Sequence, residues 1–494
     1  MRQNVVPEVP VLIVGAGPAG LTAAITLARY GVDSLVVERR ADLSSLPRAT
    51  AVSTRTMEIM RTFGLEERVR SGGIDVEWNA WITETLASPV GVPMPLGFPT
   101  REEAALISPT TPACVPQDHL EPVLLDHLRS FPGVDIRFST ELVTLEQDSE
   151  WATATLLDTA SERTIAVRAR YVLAADGAHS RVRAVLGIPM EGPDNLIEHS
   201  TVLFEAPLWE VLGDRRHGIY VITHPEAAGI FVPVGADDRW LYGRELAQAH
   251  QRPENTDSLA DLLRTASGIP WLRPRIERLG SFSFAAQIAS RYREQRVFLI
   301  GDAAHRVTPR GGTGMNTAIH DGFDLAWKLG WVLSGWAEPE LLDTYETERR
   351  PVGLLNTARS ADPNGSQREA AEGLVADLGD RIPHAWLSHD GARTSTLDLL
   401  GPGLTLLTDE HGGIWRHALP STVATIVTHI VDEPAAEALG MRGGGAVLVR
   451  PDAKPIATWL EAVQDPVSAM AAAVTGMAVR TNGPVPAWQR VLAS

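Results

Sequence analysis

The first forty residues alternate between apolar runs and glycine in an order that predicts a strand, a turn, a helix and a second strand. Val11–Val14 is apolar and rich in β-branched residues, and Leu21–Arg29 is rich in alanine and other helix formers. Ser34–Glu38 is a short apolar run that ends in an acid. The pattern predicts a βαβ unit and therefore an α/β fold.

The same patterns recur along the chain. Tyr171–Ala175 and Arg296–Ile300 predict two more buried strands. Helical composition or apolar spacing predicts helices over three segments: Thr54–Phe63, Gln117–Leu128 and Asp321–Leu333. We expect Arg349–Pro351 to mark a break, because proline lacks the N–H that a helix interior uses.

Residues 76–110 and 190–284 have a different character. They carry strand-like runs with little helical period, and Ser281–Phe284 alternates with a period of two. We expect these segments to form a mostly antiparallel sheet inserted between parts of the first domain. Strand and turn signals after about residue 385 predict a further small domain.

Composition narrows the classes of partner. The 494 residues suggest two to four domains, and 44 basic against 61 acidic residues give a net charge of −17. That charge disfavours nucleic acid and anionic membranes, so a phosphate-bearing cofactor must be held by local dipoles. A lone cysteine, Cys114, excludes an internal disulfide and fits a cytoplasmic location. Val9–Ala28 is uncharged and long enough to span a membrane, but its glycines and Pro18 favour the strand–turn–helix reading.

The first motif with chemical meaning follows the first strand and opens the first helix: Gly15-Ala16-Gly17-Pro18-Ala19-Gly20. This G-x-G-x-x-G spacing lets the backbone turn tightly, approach a pyrophosphate and pack a helix on the strand. Glu38 lies 23 positions after Gly15, where a carboxylate accepts hydrogen bonds from ribose hydroxyls. An acid there suits FAD or NAD better than NADP, although Arg39 follows directly.

A second motif follows the strand Arg296–Ile300 and places an acid at a strand end, in Gly301-Asp302-Ala303-Ala304-His305. The chain continues with a glycine-rich stretch before a helix, Pro309-Arg310-Gly311-Gly312-Thr313-Gly314-Met315-Asn316. Asp302 could accept a hydrogen bond from a sugar-like chain, and the glycines let backbone amides approach a planar, electron-accepting ring. Taken alone, the stretch is equally compatible with a surface loop.

Together the two motifs resemble the flavoprotein aromatic hydroxylases of the p-hydroxybenzoate hydroxylase fold. Asp176–Arg183 resembles that family's Asp-Gly segment; from its residues alone it predicts a strand-to-helix turn with Ser180 as cap and Arg183 as an ion-pair partner. Pro47-Arg48-Ala49 and Gln117 resemble segments beside the flavin. The resemblance implies a set of cofactor-binding residues: Gly15, Gly17, Pro18, Ala19, Gly20, Glu38, Arg39, Arg48, Gln117, Asp176, Asp302, Pro309, Gly312, Gly314, Met315 and Asn316.

The tail resembles one branch of this family, the aromatic polyketide hydroxylases. Ser395–Gly401 and Val447–Asp452 are similar to their thioredoxin-like tail, although residues 453–459 depart from the pattern. No cysteine follows Cys114, so the tail cannot perform dithiol chemistry and a structural or oligomerisation role is expected. The resemblance implies a Rossmann-like FAD-binding domain (1–75, 111–189 and 285–384), a substrate-binding middle domain (76–110 and 190–284) and a thioredoxin-like domain (385–494).

The implied activity is monooxygenation of an aromatic polyketide-like small molecule. FAD would be held without a covalent bond, with NAD(P)H and O2 as co-substrates and a flavin C4a-hydroperoxide as the oxygen donor. The flavin carries the chemistry, with Arg48 and Pro309 as candidate catalytic residues, and no metal is expected. We also consider Baeyer–Villiger oxygenation, a flavin dehydrogenase or oxidase without oxygen transfer, and a non-catalytic flavin-binding protein. Expected partners are the substrate alone, in a monomer or homodimer; candidate cavity-lining residues are Trp78, Trp81, Phe231 and Tyr242.

Overall fold

The computed structural model describes residues 6–235, 237–246, 256–420 and 425–477. Up to residue 185 the elements are β1 (Glu8–Val14), α1 (Pro18–Arg29), β2 (Ser34–Val37), β3 (Ala51–Val52), α2 (Thr54–Thr62), α3 (Glu66–Arg70), β4 (Glu77–Thr83), β5 (Gly91–Pro95), α4 (Arg101–Ile107), β6 (Ala113–Cys114), α5 (Gln117–Arg129), β7 (Val134–Arg137), β8 (Thr140–Gln147), β9 (Ala152–Asp158), β10 (Arg163–Ala174) and α6 (Arg181–Val185). From residue 190 to 306 they are β11 (Met190–Glu191), β12 (Glu198–Glu205), α7 (Leu208–Leu212), β13 (His217–Ile222), β14 (Gly229–Pro233), β15 (Arg239–Glu245), α8 (Thr256–Ser267), β16 (Arg275–Ser283), β17 (Gln287–Ala289), β18 (Arg293–Glu294), β19 (Val297–Leu299) and β20 (His305–Arg306). From residue 314 they are α9 (Gly314–Leu333), α10 (Thr344–Ala361), α11 (Ala370–Leu378), β21 (Trp386–His389), β22 (Ala392–Ser395), β23 (Leu404–Thr408), α12 (Gly413–Arg416), β24 (Ile426–Ile430), α13 (Glu433–Ala438), β25 (Ala446–Val449), β26 (Pro455–Trp459) and α14 (Pro466–Gly476).

The first sheet has the strand order β18-β19-β10-β1-β2-β7. The strands from β19 to β7 run parallel, and β8 and β9 extend the sheet as an antiparallel ribbon beside β10. The predicted βαβ unit and the strands after Tyr171 and Arg296 are therefore confirmed. Because parallel strands end at the same edge, the residues after β1, β2, β10 and β19 meet there, where α/β sheets bind ligands.

Helices α1 and α9 lie close together because glycine faces the neighbouring helix. A Cβ on Gly322 would lie 2.4 Å from the carbonyl oxygen of Ala19, and one on Gly330 would lie 2.6 Å from Cγ of Tyr30. Ala19 is near the start of α1 and Tyr30 follows its end, so the helices run in the same direction. Both helix N-termini consequently point to the same edge of the first sheet.

The second sheet has the order β16-β12-β15-β14-β13-β4-β5 and is antiparallel except between β13 and β4. This confirms the inserted sheet, and β4 and β5 show that residues 76–110 contribute to it. The expectation of little helix in that segment misses α4. The signal was present, because Thr100 and Glu103 form a capping box at the start of α4.

The expected break at Arg349–Pro351 is wrong, since α10 runs through Pro351 to Ala361. Proline removes one intrahelical hydrogen bond, which tertiary contacts can offset. In α10 the guanidinium of Arg349 donates a 2.8 Å hydrogen bond to the buried carboxylate of Asp321 on α9. That salt bridge holds the helix on the first domain two residues before the proline.

A third sheet, β24-β23-β25-β26, forms the core of the tail. β23 and β24 are parallel and the other pairs are antiparallel, so with α12, α13 and α14 the chain follows a β-α-β-α-β-β-α order of the thioredoxin-like type. Where the tail departs from the family pattern, Ala453 takes a left-handed conformation (φ +70°) in the turn between β25 and β26. The domain boundaries given above stay a prediction.

Two expectations from composition can also be compared with the fold. Val9–Ala28 forms β1, the glycine turn and most of α1, and among the described residues no helix has the length and apolar character to cross a membrane. Cys114 is buried in β6, and burial raises the pKa of its thiol to about 12, so it is a packed, protonated side chain.

A cluster of six charged side chains joins the tail to α9 and α10. This interface ion cluster consists of Asp324, Lys328, Glu348, Arg450, Asp452 and Lys454. Glu348 is its centre: it accepts two hydrogen bonds from Arg450, at 2.8 and 2.7 Å, and one from Lys454 at 2.8 Å. Although Asp324, Glu348 and Asp452 stand close enough together to hold a metal ion, the three cations already neutralise them.

We predict that Glu348→Gln destabilises the protein by about 3 kcal/mol, because it leaves three cations beside two carboxylates in a largely buried site. Urea denaturation measures the change. Glu340→Gln is the matched control, since Glu340 is exposed and should shift the free energy of unfolding by less than about 0.5 kcal/mol. Equal effects of the two substitutions would contradict the role given to the cluster.

The same variant has a predicted pH dependence. Burial acts to raise the pKa of Glu348, but its hydrogen bonds with Arg450 and the charges of Lys328 and Arg450 lower it well below the ordinary 4.5. A carboxyl whose pKa is depressed by folding stabilises the folded state above its unfolded pKa and loses that contribution on acidification. The difference between wild type and Glu348→Gln should therefore be largest near neutral pH and shrink below about pH 4.5.

Candidate active site

The predicted site residues meet at the carboxyl edge of the first sheet. Gly15 follows β1, Glu38 follows β2, Asp176 follows β10 and Asp302 follows β19. These four strands are neighbours in the sheet, so segments more than 250 residues apart in the chain lie side by side. This edge is therefore the candidate site, and the two helix N-termini described above point to it. The space between these N-termini and the edge is called the cleft below.

The three motif glycines have different steric roles. Gly15 has φ +111°, and a Cβ there would lie 2.2 Å from the carbonyl oxygen of Ala175 at the end of β10. A Cβ on Gly20 would lie 2.0 Å from the carbonyl oxygen of Gly15. At Gly17 a Cβ would meet nothing within 4 Å. Gly15 and Gly20 thus form the turn, whereas Gly17 leaves its surface open.

The N-terminus of α1 is suited to an anion. Pro18 occupies the first turn, and neither a capping side chain nor an acidic residue satisfies the first amides of the helix. Beside it, Glu38 accepts hydrogen bonds from the backbone N–H of Ala16 and of Arg40, both at 3.0 Å. The carboxylate is thereby fixed next to the glycine turn, and Arg39 is exposed at the rim.

The second motif touches the first. Gly301 has φ +60°, and a Cβ there would lie 3.0 Å from Cβ of Ala318 on α9 and 3.2 Å from Cβ of Ala19 on α1. Its N–H donates a 3.1 Å hydrogen bond to Oδ2 of Asp321. The turn that carries Asp302 is therefore held between the two helices, and Asp302 is exposed at this edge of the sheet.

Asp321 holds this turn, and sequence reasoning gave it no role. Besides Gly301, its carboxylate contacts Nε2 of His305 at 2.7 Å and Nε of Arg349 at 2.8 Å, and the side chain is fully buried. Burial acts to raise its pKa, but the charges of Arg349 and His305 hold the pKa below its ordinary range. An ionised Asp321 thus ties the second motif, α9 and α10 together.

The glycine-rich segment before α9 is held in place by hydrogen bonds to its backbone. Arg368 donates a 2.8 Å hydrogen bond to the carbonyl of Gly311, and the N–H of Gly312 donates a 3.1 Å hydrogen bond to the carbonyl of Pro309. Neither a capping side chain nor an acid satisfies the first turn of α9, where Gly314 and Met315 begin the helix. Its N-terminal amides are available to stabilise negative charge.

The side chain of Asn316 makes four hydrogen bonds within the protein. Its Oδ1 accepts hydrogen bonds from the N–H of Ser53 (2.9 Å) and the hydroxyl of Thr56 (2.8 Å). Its Nδ2 donates to the carbonyls of Ala51 and Gly312 at 2.9 and 2.8 Å. The amide side chain therefore fastens the glycine loop to α2 and β3, which leaves only its backbone for a cofactor.

Arg48 and Gln117 lie on the next wall of the cleft. The N–H of Gln117 donates to the carbonyl of Ala49, and its side chain donates a 2.7 Å hydrogen bond to Glu121. Burial raises the pKa of Glu121, against the opposing influence of Gln117 and of the Arg48 charge. Arg48 itself is exposed, and its charge also acts on the carboxyl of Asp302. These two segments therefore face the same cleft as the second motif.

The third motif, Asp176–Arg183, follows β10 at the same edge of the sheet. Asp176 accepts a 3.1 Å hydrogen bond from the N–H of Val182 on Oδ2, while its Oδ1 is buried without a partner. Ser180 caps α6, as predicted, by accepting from the N–H of Arg183 at 2.9 Å. The expected ion pair of Arg183 is wrong: the guanidinium donates to the carbonyls of Ala178 and Ala303. Arg183 thereby links the third motif to the second.

The second sheet presents one face to the glycine loop, and only one of the four predicted lining residues points that way. Trp78 stacks on Phe98 with ring centroids 4.7 Å apart, and Phe98 lies 3.5 Å from the position of a Cβ on Gly312. Trp81 instead stacks on His217. Phe231 and Tyr242 pack with it in the core below α7 and α8, on the opposite face.

A cluster of aromatic side chains that the sequence analysis did not assign lies beside the glycine-rich loop, and we call it the aromatic ledge. It consists of His199, Phe282 and Phe284; the His199 and Phe284 rings are 4.4 Å apart and nearly parallel. The guanidinium of Arg310, from the glycine-rich loop, lies 5.7 Å above Phe284. The alternation of Ser281–Phe284 was a usable signal for its two phenylalanines, but His199 lies on another strand.

These features fit FAD. The glycine turn is closed on the protein side and open at Gly17, two long helices present unsatisfied amides, and Asp176 holds an unpartnered oxygen at the same edge. A diphosphate requires a glycine turn that is open on the ligand side. A ring that gains negative charge on reduction is stabilised by unsatisfied helix amides.

Comparison with known proteins agrees with this geometry. Residues 8–360 match the family model of the FAD binding domain, and residues 376–479 match that of the aromatic-ring hydroxylase C-terminal domain. The tetracenomycin B2 monooxygenase-dioxygenase of Streptomyces olivaceus is 34% identical, over 90% of this chain and 94% of its own.

Two solved structures are similar over almost their full length. The flavin-dependent monooxygenase PieE, in complex with FAD and substrate, has a TM-score of 0.85 at 29% identity and covers 95% of this chain and 99% of its own. Aklavinone-11 hydroxylase, with FAD and aklavinone, has a TM-score of 0.84 at 32% identity and covers 96% and 99%. The chain belongs to the family of FAD-dependent aromatic-ring hydroxylases, which are monooxygenases.

Proposed function

We propose that this protein hydroxylates an aromatic polyketide-like small molecule, with FAD as its cofactor and NAD(P)H and O2 as co-substrates. The observation that carries the proposal is the meeting of the α9 N-terminus, the glycine loop and the aromatic ledge at one cleft. Relatives named for tetracenomycin and aklavinone support polycyclic aromatic substrates for this chain as well.

We assign the cofactor residues to three parts of FAD. Gly15, Gly17, Pro18, Ala19 and Gly20 would receive the diphosphate at the start of α1, with Glu38 and Arg39 at the ribose of the adenosine part. Arg48, Gln117, Asp176 and Asp302 line the cleft between the two helix N-termini and would hold the chain that joins them. Pro309, Gly312, Gly314, Met315 and the backbone of Asn316 would receive the ring.

When bound, FAD would accept hydride from NAD(P)H and activate O2 for transfer to the substrate. The chain contributes position and electrostatics: the uncapped amides of α9 would stabilise negative charge on the reduced ring. Asn316 and Arg368 fix the loop that presents those amides, so reorganisation during the reaction would be small.

The substrate side carries the aromatic ledge. Partial burial, and then the charge of Arg310, lower the pKa of His199, so its imidazole is neutral at neutral pH. A neutral ledge can stack on a planar polycyclic ring without demanding a counter-charge. Trp78 and Phe98 would form the facing aromatic pair and help to exclude water from the reacting carbon.

We predict that Gly17→Ala weakens FAD binding by about tenfold or more while the unliganded protein keeps its stability. The new methyl group would enter the open surface that the diphosphate must approach, yet it would contact no protein atom within 4 Å. Equilibrium dialysis with FAD, and urea denaturation of the FAD-free protein, measure the two quantities.

Gly413→Ala is the matched control, because Gly413 also starts a helix and a Cβ there meets nothing within 4 Å. It should leave FAD affinity unchanged. Wild-type affinity in Gly17→Ala would place the diphosphate elsewhere and refute the assignment of this turn.

We predict that the FAD-loaded enzyme oxidises NAD(P)H faster when a suitable polycyclic phenol is added, and that the product gains one oxygen atom from 18O2. The reason is that a monooxygenase couples cofactor oxidation to transfer of one atom of O2. A panel of such phenols, assayed for NAD(P)H absorbance and product mass, provides the measurement, with H2 18O as the control for exchange.

Product without label under 18O2 would identify a dehydrogenase or oxidase. The position of the new oxygen separates ring hydroxylation from Baeyer–Villiger insertion, because insertion expands a ring or converts a ketone to an ester. If the panel causes no increase in NAD(P)H oxidation, the proposed activity on this substrate class is wrong.

A further inference from the structure

A cavity of about 440 Å³ lies under α8, on the face of the second sheet that is turned away from the glycine loop. Leu259 and Leu262 of α8 form one wall, and residues of β12, β15 and β16 form the other. The volume falls within the range of small-molecule sites in proteins. Nothing in the flavin-dependent activity accounts for a cavity there.

Strand alternation separates this cavity from the candidate active site. Tyr242 packs in the core with α8, and Arg244, two residues further along β15, points to the same face. Leu241 and Gly243 alternate with them and face the glycine-loop side. The backbone of the sheet therefore lies between the two sites along β15, and only at the edge strand β16 does Phe282 of the aromatic ledge border this cavity as well.

Arg244 is the unusual feature of this cavity. The residue is only 8% exposed, and its Nε is buried without a hydrogen-bond partner. No carboxylate of the described residues forms a salt bridge with it. A guanidinium nitrogen that is buried without a hydrogen-bond partner is destabilising, so an acceptor at this position would offset its desolvation cost.

The other walls suit a ligand that is mostly apolar. Val202 and the two α8 leucines supply apolar surface, and Ser200 and Ser281, which pair across β12 and β16, add hydroxyl groups on the face of Arg244. Glu198 also lines the cavity, but its side chain is exposed, where solvent and salt screen its charge.

We propose that this cavity is a second ligand site, which binds an apolar small molecule bearing a carboxylate. The carboxylate pairs with the guanidinium of Arg244, whose planar fork matches its two oxygens. The apolar body of the ligand lies against Val202, Leu259 and Leu262. Binding there requires no contact with the flavin.

The test uses the FAD-loaded protein and 2-naphthoate as the probe, with the neutral isostere 2-naphthamide beside it. Isothermal titration should show saturable binding of 2-naphthoate with a Kd below about 1 mM, and binding of the amide at least about tenfold weaker. Arg244→Gln should weaken 2-naphthoate binding by about tenfold or more. Arg278→Gln is the matched control: Arg278 lies on the neighbouring strand β16, opposite Leu203 on the other face, and its loss should change the affinity less than about twofold.

A chemical block locates the binding without relying on Arg244. Leu279 is 58% exposed at the cavity, and Cys114 is buried, so Leu279→Cys supplies a selectively reactive thiol. Labelling it with a bulky maleimide should reduce 2-naphthoate affinity by about tenfold, whereas labelling Leu354→Cys, a 50% exposed leucine on α10, should not.

Three outcomes would overturn the proposal. They are absence of saturable 2-naphthoate binding, equal affinity in wild type and Arg244→Gln, and binding that survives the label at position 279. The last two would assign the probe to another site, such as the flavin-side cleft. None of them bears on whether the protein is a monooxygenase.

Discussion

The close parallel packing of α1 against α9 is the constraint on which the rest of this structure depends. It is possible only because glycine occupies positions 322 and 330, where any Cβ would collide with Ala19 or Tyr30. Parallel packing brings two uncapped helix N-termini to one edge of the first sheet, and Gly301 seats the Asp302 turn between them. A strongly acidic protein thereby obtains a local positive potential that its net charge of −17 does not provide.

Buried charge then fixes what this packing brings together. Asp321 holds the second motif to α10 through Arg349, and the interface ion cluster joins α9 and α10 to the tail. Both use side chains of the same long helix, so the geometry of the α9 N-terminus is supported from two sides. The tail, which lacks cysteine, therefore has a structural contribution that requires no redox chemistry.

Much of this architecture could be predicted from local sequence, because the βαβ unit, the glycine spacing and the acids after strands depend on residues close together in the chain. Which face of the second sheet meets the glycine loop could not be predicted in this way. Alternation shows that Phe231 and Tyr242 point to the face opposite Val232 and Leu241, but it does not show which of the two faces lies toward the loop. Asp321 was missed for a related reason, since its partners Gly301 and Arg349 lie 20 and 28 positions away. The break expected at Pro351 failed because a salt bridge outside the local sequence supports α10.

A crystal structure of the protein with FAD tests the central claim most directly. The account predicts the diphosphate within hydrogen-bonding distance of the first α1 amides beside Gly17, and the ring against the Gly312–Asn316 segment at the start of α9. A flavin bound anywhere else, or one whose ring and diphosphate occupy only one of these two helix ends, would contradict it.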